Sequence, residues 1–332
     1  MKSLNTNEIT LFIPTKNRPL FLYRLIKYYD KTNFRGTLIV LDASDGTDLE
    51  SNKNLLSMDY FFNINHVIEQ KRPIQAICEN LHLINTKYST ICNDDDLLIT
   101  ESLAQSQEFL INNNNYSACW GLGIKVKTRS DNPFGIITQQ KYFNHHFKYE
   151  DNLHFLNQVS QRGAYDVIFS LHYSQNYIKT MNFVQQFKSE RFQALGMNLK
   201  VAITEKIKLL NNLYLIRQNH SKRDFTEERT NNIYWLSKEN FSEELAKMID
   251  LLTIDVHKTT NLSKNESKRV VENTFVYYFN KVFMSSEKNL KPDHKTAMEN
   301  IKYYKNRFSS KYLRSKFKRS MLDEYFFKSL KK

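Results

Sequence analysis

The run Ile91-Cys92-Asn93-Asp94-Asp95-Asp96-Leu97-Leu98 places three consecutive carboxylates behind a short apolar segment. Such a cluster is costly unless a cation or a cationic side chain compensates it. Hard divalent cations take oxygen ligands, and Mg²⁺ uses one or two carboxylates while water and substrate phosphates fill the rest. Residues i and i+2 of an extended segment point the same way, so two of the three can address one site. A solvated acidic turn capping a helix from Thr100 is the other reading. Three more groups carry chemistry. Pro14-Thr15 leads into the donors Lys16, Asn17 and Arg18. Asp42 closes an apolar run, where it can accept from a base or ribose, or make an Asx turn before Gly46. Lys71-Arg72 is a cation pair suited to a phosphate or to a solvated loop. His145-His146 has no spaced carboxylate partner.

The elements that must position these groups are legible. Residues 9–14 read as a buried strand stopped by Pro14, and 37–42 as a second ending on Asp42. Between them Leu22, Leu25, Ile26 and Tyr29 recur at helical spacing. Residues 62–68 alternate as a third strand, Pro73 opens a helix, and 88–92 is a fourth strand running into the acidic triplet. Thr100 reads as the cap of the next helix. This alternation to about residue 112 calls for a mostly parallel sheet flanked by helices, which binds ligands at the carboxyl ends of its strands. Pro14, Asp42 and the triplet all fall at such ends. Beyond them, 116–128 reads as a strand, 129–164 as polar loop, 165–171 as strand-like, 174–200 as mainly helical, and 206–218 as one or two strands. From 226 the chain turns helical. The expected organisation is therefore 1–225, with halves 1–112 and 113–225, followed by a basic helical region 226–332.

Composition narrows the classes. The 332 residues are 41% hydrophobic and 25% charged, an ordinary globular balance. Seven glycines spell neither GxGxxG nor GxxxxGK[ST], so side chains and a metal, not a glycine loop, must hold any phosphates. Three cysteines without CxxC spacing argue against a disulfide scaffold or a zinc site and fit a reducing compartment. No apolar run reaches the ~18–20 residues of a spanning helix. A cytoplasmic protein, peripheral on the inner face of the cell membrane, is the expectation. The net charge of +13 calls for an anionic partner.

Taken together, the stretches ITLFIPTKNRPLFLYRLIKYY, GTLIVLDASDG and QKRPIQAICENLHLINTKYSTICNDDDLLITESL resemble bacterial family-two-like glycosyltransferases of the GT-A fold. Ala76, Asn80, Tyr88 and the triplet fall where that family has a helix, an aromatic and its DxD. The resemblance implies a nucleotide-sugar donor, with Pro14, Thr15 and Asn17 lining the nucleoside pocket, Arg18 beside them and Asp42 meeting the base. Lys71 or Arg72 would lie near the ribose or phosphates. Asp95 and Asp96 would hold Mn²⁺ or Mg²⁺ on the diphosphate, Asp94 would sit nearer the ribose, and a late histidine, His220, would join the metal or phosphates. An inverting transfer to a glycan or lipid-linked acceptor in surface polysaccharide synthesis needs a general base. Glu190 is the match, with Asp166 and Asp151 in reserve. A helix-start role beside Ser189 is the alternative for Glu190. The rival functions are a nucleotidyltransferase, which would open with a glycine-rich loop, and a non-catalytic glycan- or membrane-binding module.

The last 42 residues, Lys291 to Lys332, carry +9 of the net charge, interleaved with aromatics. Leu313, Phe317, Met321 and Tyr325 recur every four residues beside a basic face. That pattern suits an interfacial helix on an anionic membrane, here assigned to 303–332, or a helix packed on its own domain. No zinc-finger spacing or aromatic RNA-binding signature supports nucleic acid as partner.

Overall fold

The computed structural model describes residues 5–143, 147–162, 167–221 and 231–287. The chain gathers into two compact units. One comprises Met1–Tyr149, Asp166–Gln186 and Glu205–Asp224; the other comprises Glu150–Tyr165, Phe187–Thr204 and Phe225–Lys332. Phe225 thus opens the last segment of the second unit. That unit also takes in 150–165 and 187–204, which the sequence assigns to the first block.

The first unit is built on a nine-stranded sheet of order β3-β2-β1-β4-β8-β6-β9-β5, with β7 off this path, paired to the far half of β6. Strands β1 (Ile9–Thr15), β2 (Thr37–Asp42), β3 (Asn63–Ile68) and β4 (Tyr88–Ile91) are parallel neighbours. β1, β2 and β4 are buried at every position, which is why they read as continuous apolar runs rather than alternations. Helix α1 (Pro19–Lys31) starts on a proline at its first turn and buries Phe21, Leu22, Leu25, Ile26 and Tyr29. Helix α2 (Gly46–Leu56) begins where Gly46 takes φ +52°, a left-handed backbone that glycine adopts without strain. α3 (Pro73–Glu79) precedes β4.

After β4 the triplet makes a turn, Asp96 donating its N–H to the Asn93 carbonyl at 3.1 Å, and Asp96 itself opens β5 (Asp96–Leu98). Helix α4 (Thr100–Asn112) follows. Thr100 is its first residue rather than its cap, because its hydroxyl is engaged with that of Thr32 at 2.7 Å. β6 (Ala118–Thr128) falls where a strand was expected at 116–128, and its antiparallel hairpin partner β7 (Ile137–Phe143) lies inside the stretch that reads as loop. β7 hides in the sequence because it is half-buried at Phe143 and exposed elsewhere, so it has no apolar face to show. A Cβ on Gly123 would collide with the Phe143 ring, so the bare glycine lets this ring cross the hairpin. The segment expected as a strand at 165–171 is a 3₁₀ turn, Val167–Phe169, and only β8 (Leu171–Tyr173) pairs, joining β4 to β6. One twelve-residue strand, β9 (Ile207–Gln218), fills 206–218; it runs parallel to β6 and antiparallel to β5.

The second unit is helical among its described residues: α5 (Asn152–Arg162), α7 (Glu190–Thr204), α8 (Asn232–Leu236), α9 (Phe241–Thr259) and α10 (Lys264–Glu287). α6 (Ser174–Val184) belongs to the first unit. α5 is a second element hidden in the supposed loop. Fully buried Trp235 centres an aromatic cluster with Phe192, Phe241, Tyr278 and Phe279. The buried Glu244 carboxylate accepts the N–H groups of Lys188 and Ser189 at 2.6 and 3.1 Å, anchoring the entry to α7. Cys78, Cys92 and Cys119 are buried free thiols, each pushed up to about 12 by burial; they pack the first unit as expected. Among the described residues no helix is long and apolar enough to cross a membrane.

Candidate active site

The parallel register brings Thr15 directly opposite Asp42 at the carboxyl ends of β1 and β2. The two exit loops are clipped together. Asn17, at φ +50°, donates its N–H to Ser44 Oγ at 2.8 Å, and Asp45 returns its N–H to Asn17 Oδ1 at 3.0 Å. Asp42 is fully buried and accepts from the Ser44 N–H at 2.9 Å, Asn52 Nδ2 at 3.0 Å and His66 Nε2 at 3.1 Å. Burial opposes its ionisation, but the bonds from His66, Ser44 and Asn52 outweigh it and hold the carboxyl below its ordinary value. Asp42 therefore builds the floor of these loops, with the local turn to Ser44 made as one of its two sequence readings. Asn52 and His66 were missed by sequence reasoning. A polar residue on the buried side of α2, and a histidine in a strand facing an acidic strand end, were the available signals.

Because the folded pKa of Asp42 is depressed, its contribution to stability is complete above the unfolded carboxylate value and is lost as pH falls through the folded one. Asp42→Asn should cost about 1.5–3 kcal/mol at neutral pH by replacing a charged acceptor. Urea unfolding from pH 7 to 3 checks this, the variant showing a shallower acid limb than wild type.

The triplet is buried, at 0%, 5% and 0% exposure for Asp94, Asp95 and Asp96, so the solvated-turn reading fails. Thr15 Oγ1 donates to Asp94 Oδ2 at 2.7 Å, and Arg18 Nη2 pairs with Asp94 Oδ1 at 2.5 Å. Arg18 Nη1 lies 3.6 Å from Asp95 Oδ2, and His220 Nε2 lies 2.9 Å from the same oxygen. Arg217 Nε reaches Asp96 Oδ2 at 3.2 Å from the facing strand, and Asn93 Nδ2 donates to that oxygen at 3.0 Å. Arg24 Nη2 donates to the Asp95 carbonyl at 2.8 Å and also meets Gln218 Oε1. Burial lowers the Arg24 pKa. Burial likewise pushes Asp94 up to about 7 against the pull of Arg18, with Asp95 and Asp96 adding to the rise. His220 stacks on Phe21 with centroids 4.4 Å apart, which fixes the ring.

The triplet is thus compensated by the chain's own cations, Arg18, Arg24 and Arg217, which come from three other segments. Arg24 and Gln218 escape a sequence reading because Arg24 is one of several charged residues on α1 and Gln218 is the polar last residue of β9, with no local sign of their partners. Among the described residues no group of three or more His, Cys, Asp or Glu side chains is arranged to hold a divalent cation. Asp95 Oδ2 and His220 Nε2 do converge, and two protein ligands suit a cation completed by phosphate and water. Asp96, expected to share that ion, is turned to Arg217 and Asn93.

Lys71 pairs with Glu69 at 2.8 Å and with Glu79 on the surface, so its ammonium is already engaged. Arg72 stands exposed at the N-cap of α3. Pro14 is paired within β1, opposite Leu41. Glu190 is the first residue of α7 in the second unit, with Ser189 Oγ accepting the Phe192 N–H at 3.1 Å. Asp151 caps α5, accepting the His154 N–H at 2.8 Å. Asp166 and the expected membrane segment 303–332 lie outside the described residues.

Three solved structures share this architecture. S. aureus TarS 1–349 in complex with UDP-GlcNAc matches over 90% of this chain and 80% of its own, at TM-score 0.62 and 13% identity. The chain has the GT-A glycosyltransferase fold. TarS 1–349 in complex with UDP matches over 92% and 85%, at TM-score 0.55 and 11% identity. A third structure of TarS 1–349 matches over 89% and 78%, at TM-score 0.57 and 14% identity. No protein-family model and no curated protein matches the sequence.

Proposed function

We propose that this chain is a cation-assisted, inverting glycosyltransferase that moves a sugar from a nucleoside-diphosphate donor to a glycan or lipid-linked acceptor in surface polysaccharide synthesis. One observation carries the reading. Segments around Thr15–Arg18, Asp94–Asp96 and Arg217–His220 converge at the carboxyl edge of a GT-A sheet into a buried set of carboxylates and cations. Two TarS structures of this fold contain UDP-GlcNAc and UDP, which favours a uridine nucleotide as the donor handle.

In this reading the loops after Pro14 and Asp42 shape the nucleoside pocket, and Thr15 with Asn17 hold its walls. Asp95 and His220 hold Mn²⁺ or Mg²⁺. When bound, that ion supplies Lewis-acid stabilisation of the departing diphosphate. Arg18 and Arg217 are fixed in place by Asp94 and Asp96 before reaction, so their charge meets the leaving group without reorganisation. Lys71 or Arg72 approaches the ribose or phosphates. Glu190 takes the proton of the acceptor hydroxyl as general base, with Asp166 as the reserve.

The test is release of nucleoside diphosphate from a panel of sugar nucleotides with Mn²⁺ and candidate glycan acceptors. Acceptor-dependent turnover of one uridine or other diphosphate sugar is expected. Absence of turnover across the panel, together with pyrophosphate release from a nucleoside triphosphate, would replace the reading with nucleotidyl transfer.

A further inference from the structure

The hairpin of β6 and β7 carries a surface that the transfer reaction does not use. Its tip exposes Phe134, Ile136 and Ile137 at 58%, 68% and 56%, and Tyr142 of β7 at 57%. The patch continues onto α1, where Tyr23 meets Phe134 edge-on at 6.1 Å and Leu20 lies one turn back on the same side. Water is a poor partner for the apolar side chains gathered at this tip.

Beside this patch stands an excess of positive charge. Lys125 lies directly opposite Lys141 across the β6–β7 ladder, and Lys127, two residues on, shares its face. Like charges placed opposite one another destabilise a strand pair unless an anion lies between them. Among the described residues Lys125, Lys127, Arg129 and Lys141 form no ion pair, and the Lys125 ammonium rests on the Phe143 ring at 5.1 Å. The single carboxylate within 118–143, Asp131, accepts from the Ser221 hydroxyl at 2.6 Å and is felt by Lys127, so four cations stand against one carboxylate in this hairpin.

We propose that the β6–β7 hairpin docks on an anionic lipid surface. Phe134, Ile136 and Ile137 enter the headgroup boundary, and Lys125, Lys127, Arg129 and Lys141 meet lipid phosphates. Two features select this occupant. A second copy of the chain would bring the same cations and be repelled, and an uncharged apolar partner would leave the lysines unpaired. The dimensions also agree. Lys141 is four residues from Ile137, about 13 Å along a strand. An apolar tip sunk by about 5–10 Å therefore leaves the ammonium groups at phosphate level. The hairpin tip and the adjoining end of β6 are tied to the candidate active site, since Val126 pairs with Gln218 and Arg24 donates to the Pro133 carbonyl at 3.3 Å. Docking would set that site at a fixed height over the bilayer. The inference goes beyond the transferase reading and stands apart from it.

Flotation of the full chain with phosphatidylcholine vesicles, with and without phosphatidylglycerol, tests it. Binding to the anionic vesicles is expected. F134S/I136S/I137S and K125Q/K127Q/K141Q should each weaken it, the latter by about fivefold per lysine, the equivalent of about 1 kcal/mol each. The basic segment 303–332 is present in every sample, so unchanged binding by both triple variants would overturn the proposal. So would sedimentation velocity without lipid showing that the variants merely convert a dimer to a monomer. Stabilisation by a uridine nucleotide should be equal in all three proteins, which separates failure here from failure of the transferase reading.

Discussion

Asp95→Ala should lower sugar transfer by about a hundred- to a thousandfold, the scale of losing one preorganised group that stabilises leaving-group charge. Asp95 is buried, and its Oδ2 is the atom on which His220 Nε2 at 2.9 Å and Arg18 Nη1 at 3.6 Å converge. The fold should survive the change, because Arg18 keeps its 2.5 Å contact with Asp94 and Asp96 keeps Arg217. The loss should therefore fall on kcat, with unfolding midpoints near wild type. Uridine nucleotide affinity in chelator should be the same for both proteins, while the increment gained on adding Mn²⁺ should vanish in the variant. Calorimetric titration with and without Mn²⁺, alongside initial rates, reads both. A variant retaining the full increment would remove Asp95 from the ion.

Arg18→Met should destabilise this edge by about 1–2 kcal/mol near pH 8, because it removes the partner that lets the buried Asp94 carboxyl ionise. Asp94 already sits at about 7, pushed up by burial even with Arg18 beside it, and without Arg18 it rises further. The sign follows from that raised value. Asp94 ionises less readily in the folded protein, so stability is complete below the unfolded carboxylate value and drains as pH climbs through the folded one. The penalty of Arg18→Met should thus shrink at pH 4 to 5 and grow towards pH 8. Adding Asp94→Asn should restore much of the loss and flatten the profile. Urea unfolding of the two variants and the double variant, in chelator, measures each point.

The parallel half of the sheet was legible because strands buried on both faces must be continuous apolar runs, as 9–14, 37–42 and 88–92 are. The candidate site's place was read from those strands, since their carboxyl ends hold Pro14, Asp42 and the triplet. Its internal wiring did not follow. Arg24 looks like one more charge on an amphipathic helix and Gln218 like the polar end of a strand, and only the approach of α1 to the end of β9 joins them to the Asp95 turn. Asp96 was expected beside Asp95, yet the antiparallel pairing of β5 with β9 sets it opposite Arg217. A three-residue strand gives no periodicity to read, so that pairing had no local signal. β7 was lost for a different reason: it is nearly all exposed, and exposure erases the contrast between faces. Glu190 shows the limit in reverse. Ser189 and Glu190 satisfy the helix-start pattern whatever chemistry Glu190 performs, so spacing alone carries both readings.

Crystals grown with a uridine diphosphate sugar and Mn²⁺, measured at the manganese absorption edge, give the most direct test. The account predicts one anomalous peak bonded to Asp95 Oδ2 and His220 Nε2, with the diphosphate completing its coordination and facing Arg18 and Arg217. A diphosphate bound away from the Asp94–Asp96 turn would contradict it.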